Sequence, residues 1–349
     1  MTQPSSDFLW RRIYSATDKI KAMKPWEWME ETDIFGIESP ETGEIYFISV
    51  MGSGGISKSI SAYIGKTALG MFWNMINMDQ DGLASDLISS SYLLTIPQLF
   101  LDFTEEEGVE PGRLVELKKD GMKPDKNNIY TVVSQIKPGF LPSIPDDNVL
   151  KDAAAIYEQC LEIFSQTKDK PELVYPDESN DDLYLIRKRV NSDKDQWTNV
   201  FEDIIIDPVR YEIRFRIADH EKLKTYQKKP VTLQIDIITL PAPSKEGSDH
   251  PYFPSLFLIV DKKSGTIIDY ELLTPLPEIN SLYKALPGLL ITKLLRLQYK
   301  PYRVDIRSDI LFTLFEELLT RAGIQVHHVE SMKPMDEAIN GMVNNMFPD

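Results

Sequence analysis

The run VTLQIDIITLP, residues 231–241, sets one carboxylate, Asp236, among residues suited to the middle of a β-sheet. Charges rarely sit there alone, because taking a carboxylate out of water is costly unless it is paired or hydrogen-bonded. Three roles fit it: a catalytic carboxylate, a metal ligand, or a strand residue with an ordinary partner. Strand alternation puts Thr232, Gln234 and Asp236 on one face and Leu233, Ile235 and Ile237 on the other. A second stretch, YRVDIRS at 302–308, puts Arg303, Asp305 and Arg307 opposite Val304 and Ile306. If the two strands are neighbours, Asp236 meets Arg303 or Arg307 as a charge pair. Of the histidines, His327 and His328 are adjacent and face opposite ways, so at most one joins a shared site. His327 with Asp305, Asp236 and Glu330 would offer a metal mixed oxygen and nitrogen donors. Ordinary packed or surface histidines are the competing expectation.

Other motifs carry less chemistry. MGSGGISKS, residues 51–59, is glycine-rich but lacks the GxxxxGK[ST] spacing, and an alternating strand pattern follows it. It reads as a hairpin turn. No GxSxG, HExxH or EF-hand pattern occurs. The single cysteine, Cys160, rules out an intramolecular disulfide, a zinc site of several thiolates and a CxxC redox pair. It shares helical spacing with Val149, Ala153, Ile156 and Ile163, which predicts a buried helix position. Trp10, Trp26, Trp28 and Trp73 would either line a ligand groove or form the core of an N-terminal domain.

The 349 residues allow two or three domains, and 42% hydrophobic content is enough to fill their cores. The net charge is -16. An acidic chain repels phosphate backbones, which disfavours nucleic acid as a partner and leaves a protein partner as the expectation. Residues 1–230 carry 27 basic against 39 acidic residues, and residues 231–349 carry 11 against 15, so the C-terminal part is the less hostile. The first residues lack the apolar core of a signal peptide, and no uncharged apolar run approaches bilayer length. A cytoplasmic protein without membrane association is expected.

The elements that must position these residues follow from period and punctuation. Residues 7–24 have helical spacing and stop at Pro25. Three strands with turns fill 33–64, helices follow at 67–78 and 84–92, and LFLDF at 99–103 is a short strand. The expected organisation is a small α+β domain over 1–103, a Pro-rich segment plus helix over 104–180, a β-rich connector over 181–230 and a domain over 231–349. In the connector, LYLIRKRV and YEIRFRIA both alternate like strands. The last domain reads β-β-β-α-β-α-β-α, with strands near 231–240, 255–261, 266–273, 302–308 and 324–330. Pro287 and Gly288 are expected to kink or split its first helix. Ser308 or Asp309 caps the second, Gly323 ends it, and Pro334 opens the last.

That order resembles the ribonuclease-H fold shared with retroviral integrases and DDE transposases, over about a third of the chain. The resemblance implies an α/β domain with a mixed five-stranded sheet in the order 3-2-1-4-5. It also implies carboxylates on strand one, at or after strand four, and on the last helix, holding two Mg²⁺ ions for phosphodiester attack. Transferred to this sequence, those positions are Asp236, then Asp305 or Asp309, then Asp336 or Glu337. The sequence departs from the pattern: no glycine-containing turn follows Asp309, and Lys333 is the basic residue near the DEA of the last helix. A second resemblance rests on KPWEWMEETDIFGIESPETGEIYFISVMGSGG and SAYIGKTALGMFW, followed by PYFPSLFLIVDKKSGTIIDYELL and PYRVDIRSDILF. These look like an uncharacterised two-domain bacterial family of domains of unknown function, which implies no activity. The resulting expectation is a binding or scaffolding protein with an incomplete ribonuclease-H-like acidic cluster and no cofactor. One alternative is a Mg²⁺- or Mn²⁺-dependent nuclease using Asp236 and Asp309 with Asp336 or Glu337. Another is a small-molecule binder using the aromatic N-terminal domain.

Overall fold

A computed structural model describes residues 6–55, 57–80, 95–109, 111–119, 122–175, 180–190, 196–206, 211–240 and 242–346. The chain divides into two compact units. The first comprises Met1–Asn74, Ile96–Lys137 and Pro142–Asp207. The second comprises Met75–Thr95, Pro138–Leu141 and Pro208–Asp349.

The first unit is a mixed α+β structure around a seven-stranded sheet. Its strands are β1 (Phe35–Glu38), β2 (Ile45–Met51), β3 (Ser59–Ile64), β4 (Gln98–Glu105), β5 (Ile129–Ile136), β6 (Leu183–Arg189) and β7 (Trp197–Asp203). Their spatial order is β5-β4-β3-β2-β1-β6-β7, antiparallel throughout except for the parallel pair β1 and β6. Strands from all three expected pieces of residues 1–230 therefore share one sheet. Local pattern cannot reveal this, because β1 and β6 pair across a long intervening sequence. YEIRFRIA is not a strand; its start runs without regular structure and its end enters a helix. The helix expected at 84–92 lies outside the described residues.

Helices α1 (Ser6–Met23) and α4 (Asp147–Thr167) share a core with the sheet, in which Ile13, Ile20, Ile156, Cys160 and Phe164 are fully buried. Cys160 thus occupies the apolar stripe its spacing predicts, and burial pushes its thiol up, away from reactivity. Asp146 caps α4 by accepting from the Val149 N–H at 3.2 Å. Of the tryptophans, Trp26 is buried, 5.6 Å from Phe103 between ring centroids, Trp10 and Trp28 pack partly buried against this core, and the Trp73 indole donates to the Tyr184 hydroxyl at 2.9 Å. The glycine-rich segment after β2 is a hairpin turn. Gly52 takes φ 129, and a Cβ there would stand 2.6 Å from the Ser57 carbonyl. Helix α2 (Gly65–Gln80) begins in this unit, which holds its residues up to Asn74, and α3 (Pro111–Lys119) lies within it.

Asp102 on β4 stands between Ser59 and Val132, and burial raises its carboxyl to about 6. A raised carboxyl stabilises the fold while protonated, so its contribution is complete below about pH 4 and lost as pH rises through about 6. Relative to Asp102→Asn, the wild-type first unit should lose stability across that window. The loss should be no more than about 3 kcal/mol, reduced by partial solvent screening. Tryptophan-fluorescence denaturation at a series of pH values checks this; parallel profiles for the two proteins would contradict it.

The second unit holds β8 (Lys228–Thr239), β9 (Ser255–Asp261), β10 (Ile267–Leu273), β11 (Lys300–Ile306) and β12 (Gln325–His328). The sheet order is β10-β9-β8-β11-β12, which is 3-2-1-4-5 in the domain's own count. Strands β8, β9 and β10 pair antiparallel, while β11 runs parallel to β8 and β12. This is a ribonuclease-H-like α/β fold. One face, with Leu233, Ile235, Phe257, Val304 and Ile306, packs under α6 (Ile279–Arg296) and α7 (Asp309–Arg321). The other, with Ile238, Leu256, Leu258 and Val260, meets Met335 and Ile339 of α8 (Lys333–Met346).

Of the kink or split expected at Pro287, the split does not occur: helix α6 runs through it as one helix. Gly288 lets segment 211–216 lie against it: a Cβ there would sit 2.9 Å from the Arg214 carbonyl. The Arg214 N–H in turn donates to the Lys284 carbonyl at 2.9 Å, so outside backbone supports the helix where proline weakens it. An unexpected helix, α5 (Ile217–Thr225), also contributes Leu223 to the core, so the packed domain takes in residues before 231.

Candidate functional site

The register of β8 against β11 pairs Leu233 with Val304 and Gln234 with Asp305. Period-two alternation then brings Arg307, just past the end of β11, to Asp236. Arg307 Nε and Nη2 donate to Asp236 Oδ2 at 2.9 and 2.6 Å. Its Nη1 donates to Asp336 Oδ1, in the first turn of α8, at 2.6 Å. Asp236 Oδ1 takes the Ile237 N–H at 2.9 Å. Two residues earlier on the same face of β8, Gln234 Oε1 accepts the Met335 N–H at 3.1 Å, which fixes the start of α8 over the sheet.

The Arg307 and Asp236 side chains are only 7% and 4% exposed, and Asp336 is 37% exposed. Burial pushes the Asp236 carboxyl up, opposed by the Arg307 guanidinium and the Ile237 N–H. Burial works against the Arg307 charge, but Asp236 and Asp336 outweigh it and hold the guanidinium protonated. The triad is a charged bridge from strand one, through the residues after strand four, to the last helix.

The remaining candidates separate. Asp305 is fully buried and accepts from Lys262 Nζ at 2.8 Å and from Arg303 Nε. Asp309 begins α7, with Ser308 as its N-cap, and pairs with His328 Nε2 at 3.1 Å. The same His328 nitrogen lies 2.9 Å from the Arg307 carbonyl. His327 is the register partner of Asp305 but is exposed on the edge strand, so the mixed donor set built on it does not assemble. Glu337 is an exposed residue of α8 with Lys333 4.0 Å away. Among the described residues, no group of three or more His, Cys, Asp or Glu is placed to hold a metal ion. The two Mg²⁺ ions implied by the fold do not fit this donor set. Asp236 and Asp336 converge, but on a guanidinium that takes the oxygens a metal would need.

Sequence reasoning left Asp236 with Arg303 or Arg307, of which Arg307 makes the pair while Arg303 goes to Asp305, and it missed three partners. Lys262, in the hairpin after β9, reaches Asp305; the signal lay in hairpin register, which ties the Lys262 N–H to the Thr232 carbonyl at 3.0 Å. His328, rather than His327, is the histidine that joins a carboxylate. Lys293 is 1% exposed inside α6, where it donates to Asp269 at 2.8 Å and pairs with Glu271 at 2.9 Å, tying the edge strand β10 to the helix. A lysine among the leucines of an apolar helix gave no local sign of these partners.

In the first unit, α1 and α4 border a surface groove of about 380 Å³, lined by Phe8, Arg11, Arg12, Lys19, Glu158 and Leu161 among others. Arg12 spans it to Glu158 with bonds at 2.8 and 2.5 Å. The tryptophans expected for a ligand groove do not line it.

A family model described as a domain of unknown function, DUF7309, matches residues 10–187, about half of the chain. A second domain of unknown function, DUF6930, matches residues 219–343. No curated protein and no solved structure matches the chain. Among the described residues, no helix is long and apolar enough to cross a membrane.

Proposed function

We propose, given that this chain belongs to the DUF7309 family, that its ribonuclease-H-like domain is a non-catalytic binding or scaffolding module in a protein complex. The observation that carries this reading is the Arg307 guanidinium between Asp236 and Asp336. A buried cation supplied by the chain satisfies the two carboxylates that the resembled enzymes would turn toward Mg²⁺. It also fixes α8 to the sheet, which suits a rigid platform. The setting in this reading is a bacterial cytoplasm, with another protein as partner.

The test is incubation of the full chain with labelled single-stranded DNA, duplex DNA and RNA–DNA hybrid in Mg²⁺ or Mn²⁺. The expected result is no cleavage above the buffer rate. Cleavage that disappears in Asp236→Ala would overturn the reading and favour the nuclease. Asp236 and Asp309 would then hold the metals, with Asp336 or Glu337 completing the set.

A further inference from the structure

Strands β8 and β11 begin side by side, with Lys228 opposite Lys300 and Lys229 opposite Pro301. The stretches leading into them are free of acid: no Asp or Glu occurs from 222 to 235 or from 279 to 304. This is unusual in a chain with 54 acidic residues. Lys222, Lys228 and Lys229 are exposed, whereas Lys224 is partly so and is paired with Glu221 at 2.7 Å. Lys228 lies 5.6 Å from the Tyr302 ring and Lys229 4.4 Å from the Tyr299 ring. Each ammonium is thus held against an aromatic face, with donors left over for a ligand. Further along β11, Lys262 and Arg303 share the single carboxylate of Asp305, which leaves positive charge in excess. Lys300 donates to the Lys224 and Ala322 carbonyls at 2.8 and 3.1 Å, which holds its charge at this end of the sheet.

We propose that this end of the second domain, centred on Lys228, Lys229 and Lys300, docks a short acidic segment of a protein partner. The proposal rests on the reading of the domain as a binding module and names the chemistry of its partner. Charge complementarity supports an anionic occupant. Two features favour a short acidic peptide over nucleic acid. The lysines take up a face of Tyr299 and of Tyr302, so those faces do not stack on bases. A long phosphate backbone would also run beyond the patch onto a domain whose residues 231–349 carry 11 basic against 15 acidic residues. A short acidic run stays within about 8 Å of the lysines, the screening length at physiological salt.

Fluorescence anisotropy of the full chain with a labelled oligoglutamate peptide, at low and near-physiological salt, tests this. An oligothymidylate of matching length is the competing probe. Wild type should bind oligoglutamate, more weakly as salt rises, and bind oligothymidylate less well. Lys228→Glu/Lys229→Glu should weaken oligoglutamate binding about tenfold or more. Lys228→Gln/Lys229→Gln should weaken it by a smaller factor; it guards against a folding defect, checked by thermal melting. Lys58→Glu/Lys168→Glu, in the first unit, changes net charge equally and should leave binding intact. Absence of binding, equal loss in that control, or tighter binding of oligothymidylate would each overturn the proposal. None of these outcomes involves phosphodiester cleavage, so failure here leaves the non-catalytic reading standing on its own test.

Discussion

Replacing Arg307 with Met should cost the second domain about 3–5 kcal/mol, because it leaves the buried Asp236 carboxylate without its counter-ion. Asp336 is more exposed and can turn to water, so most of the loss belongs to Asp236. The loss should depend on pH in a definite direction. Without the guanidinium, burial and the nearby Asp336 raise the Asp236 carboxyl further, opposed by the Ile237 N–H. A raised carboxyl stabilises the fold below its unfolded value of about 4 and ceases to as pH rises through the folded value. The variant should therefore lie closer to wild type in mild acid than at neutral pH. Arg307→Met combined with Asp236→Leu should recover most of the stability, since an apolar pair of similar volume can replace a buried ion pair at little cost. All five tryptophans lie at or before residue 197 and report on the first unit, so amide hydrogen exchange within residues 233–239 is the suitable measurement. Faster exchange in the single variant and near-normal exchange in the double are expected. Equal destabilisation of both would show that Arg307 acts by packing.

Phe164→Ala should lower the stability of the first unit by about 3–5 kcal/mol. Phe164 is fully buried on α4 and meets Phe35 of β1 edge to face, with ring centroids 5.8 Å apart. It sits in the core that α1 and α4 share with the seven-stranded sheet, so its removal opens a cavity with few routes to collapse. Denaturant unfolding followed by tryptophan fluorescence should show a lower midpoint with an unchanged slope. A shift worth less than about 1 kcal/mol would mean that this core tolerates or refills the gap.

The second sheet was legible because each strand carries a period-two apolar pattern bounded by a turn or a cap. The hairpin at Gly265, the Ser308 cap and the Gly323 stop all appear where those residues predict them. An arginine partner for Asp236 was legible too, once strands one and four were taken as neighbours, but not the choice of Arg307 over Arg303. Pairings across long sequence separation were not. Nothing local in LYLIRKRV says that it lies beside β1, and nothing in residues 129–136 says that they extend the same sheet. YEIRFRIA alternates like a strand, yet its N–H at Arg214 bonds a helix carbonyl, because Gly288 leaves room there. Charge partners followed the same rule. Asp236 finds an arginine two residues along from the register partner of Gln234, but Asp305 is matched from a turn and Asp269 from a helix.

Calorimetric titration of Mn²⁺ into wild type, Asp236→Ala and Asp336→Ala bears most directly on whether a guanidinium has taken the place of a divalent ion. With Arg307 holding both carboxylates, the three isotherms should coincide. Saturable heat in wild type that vanishes on removing Asp236 would mean the carboxylates open to a metal, and the non-catalytic account would fall.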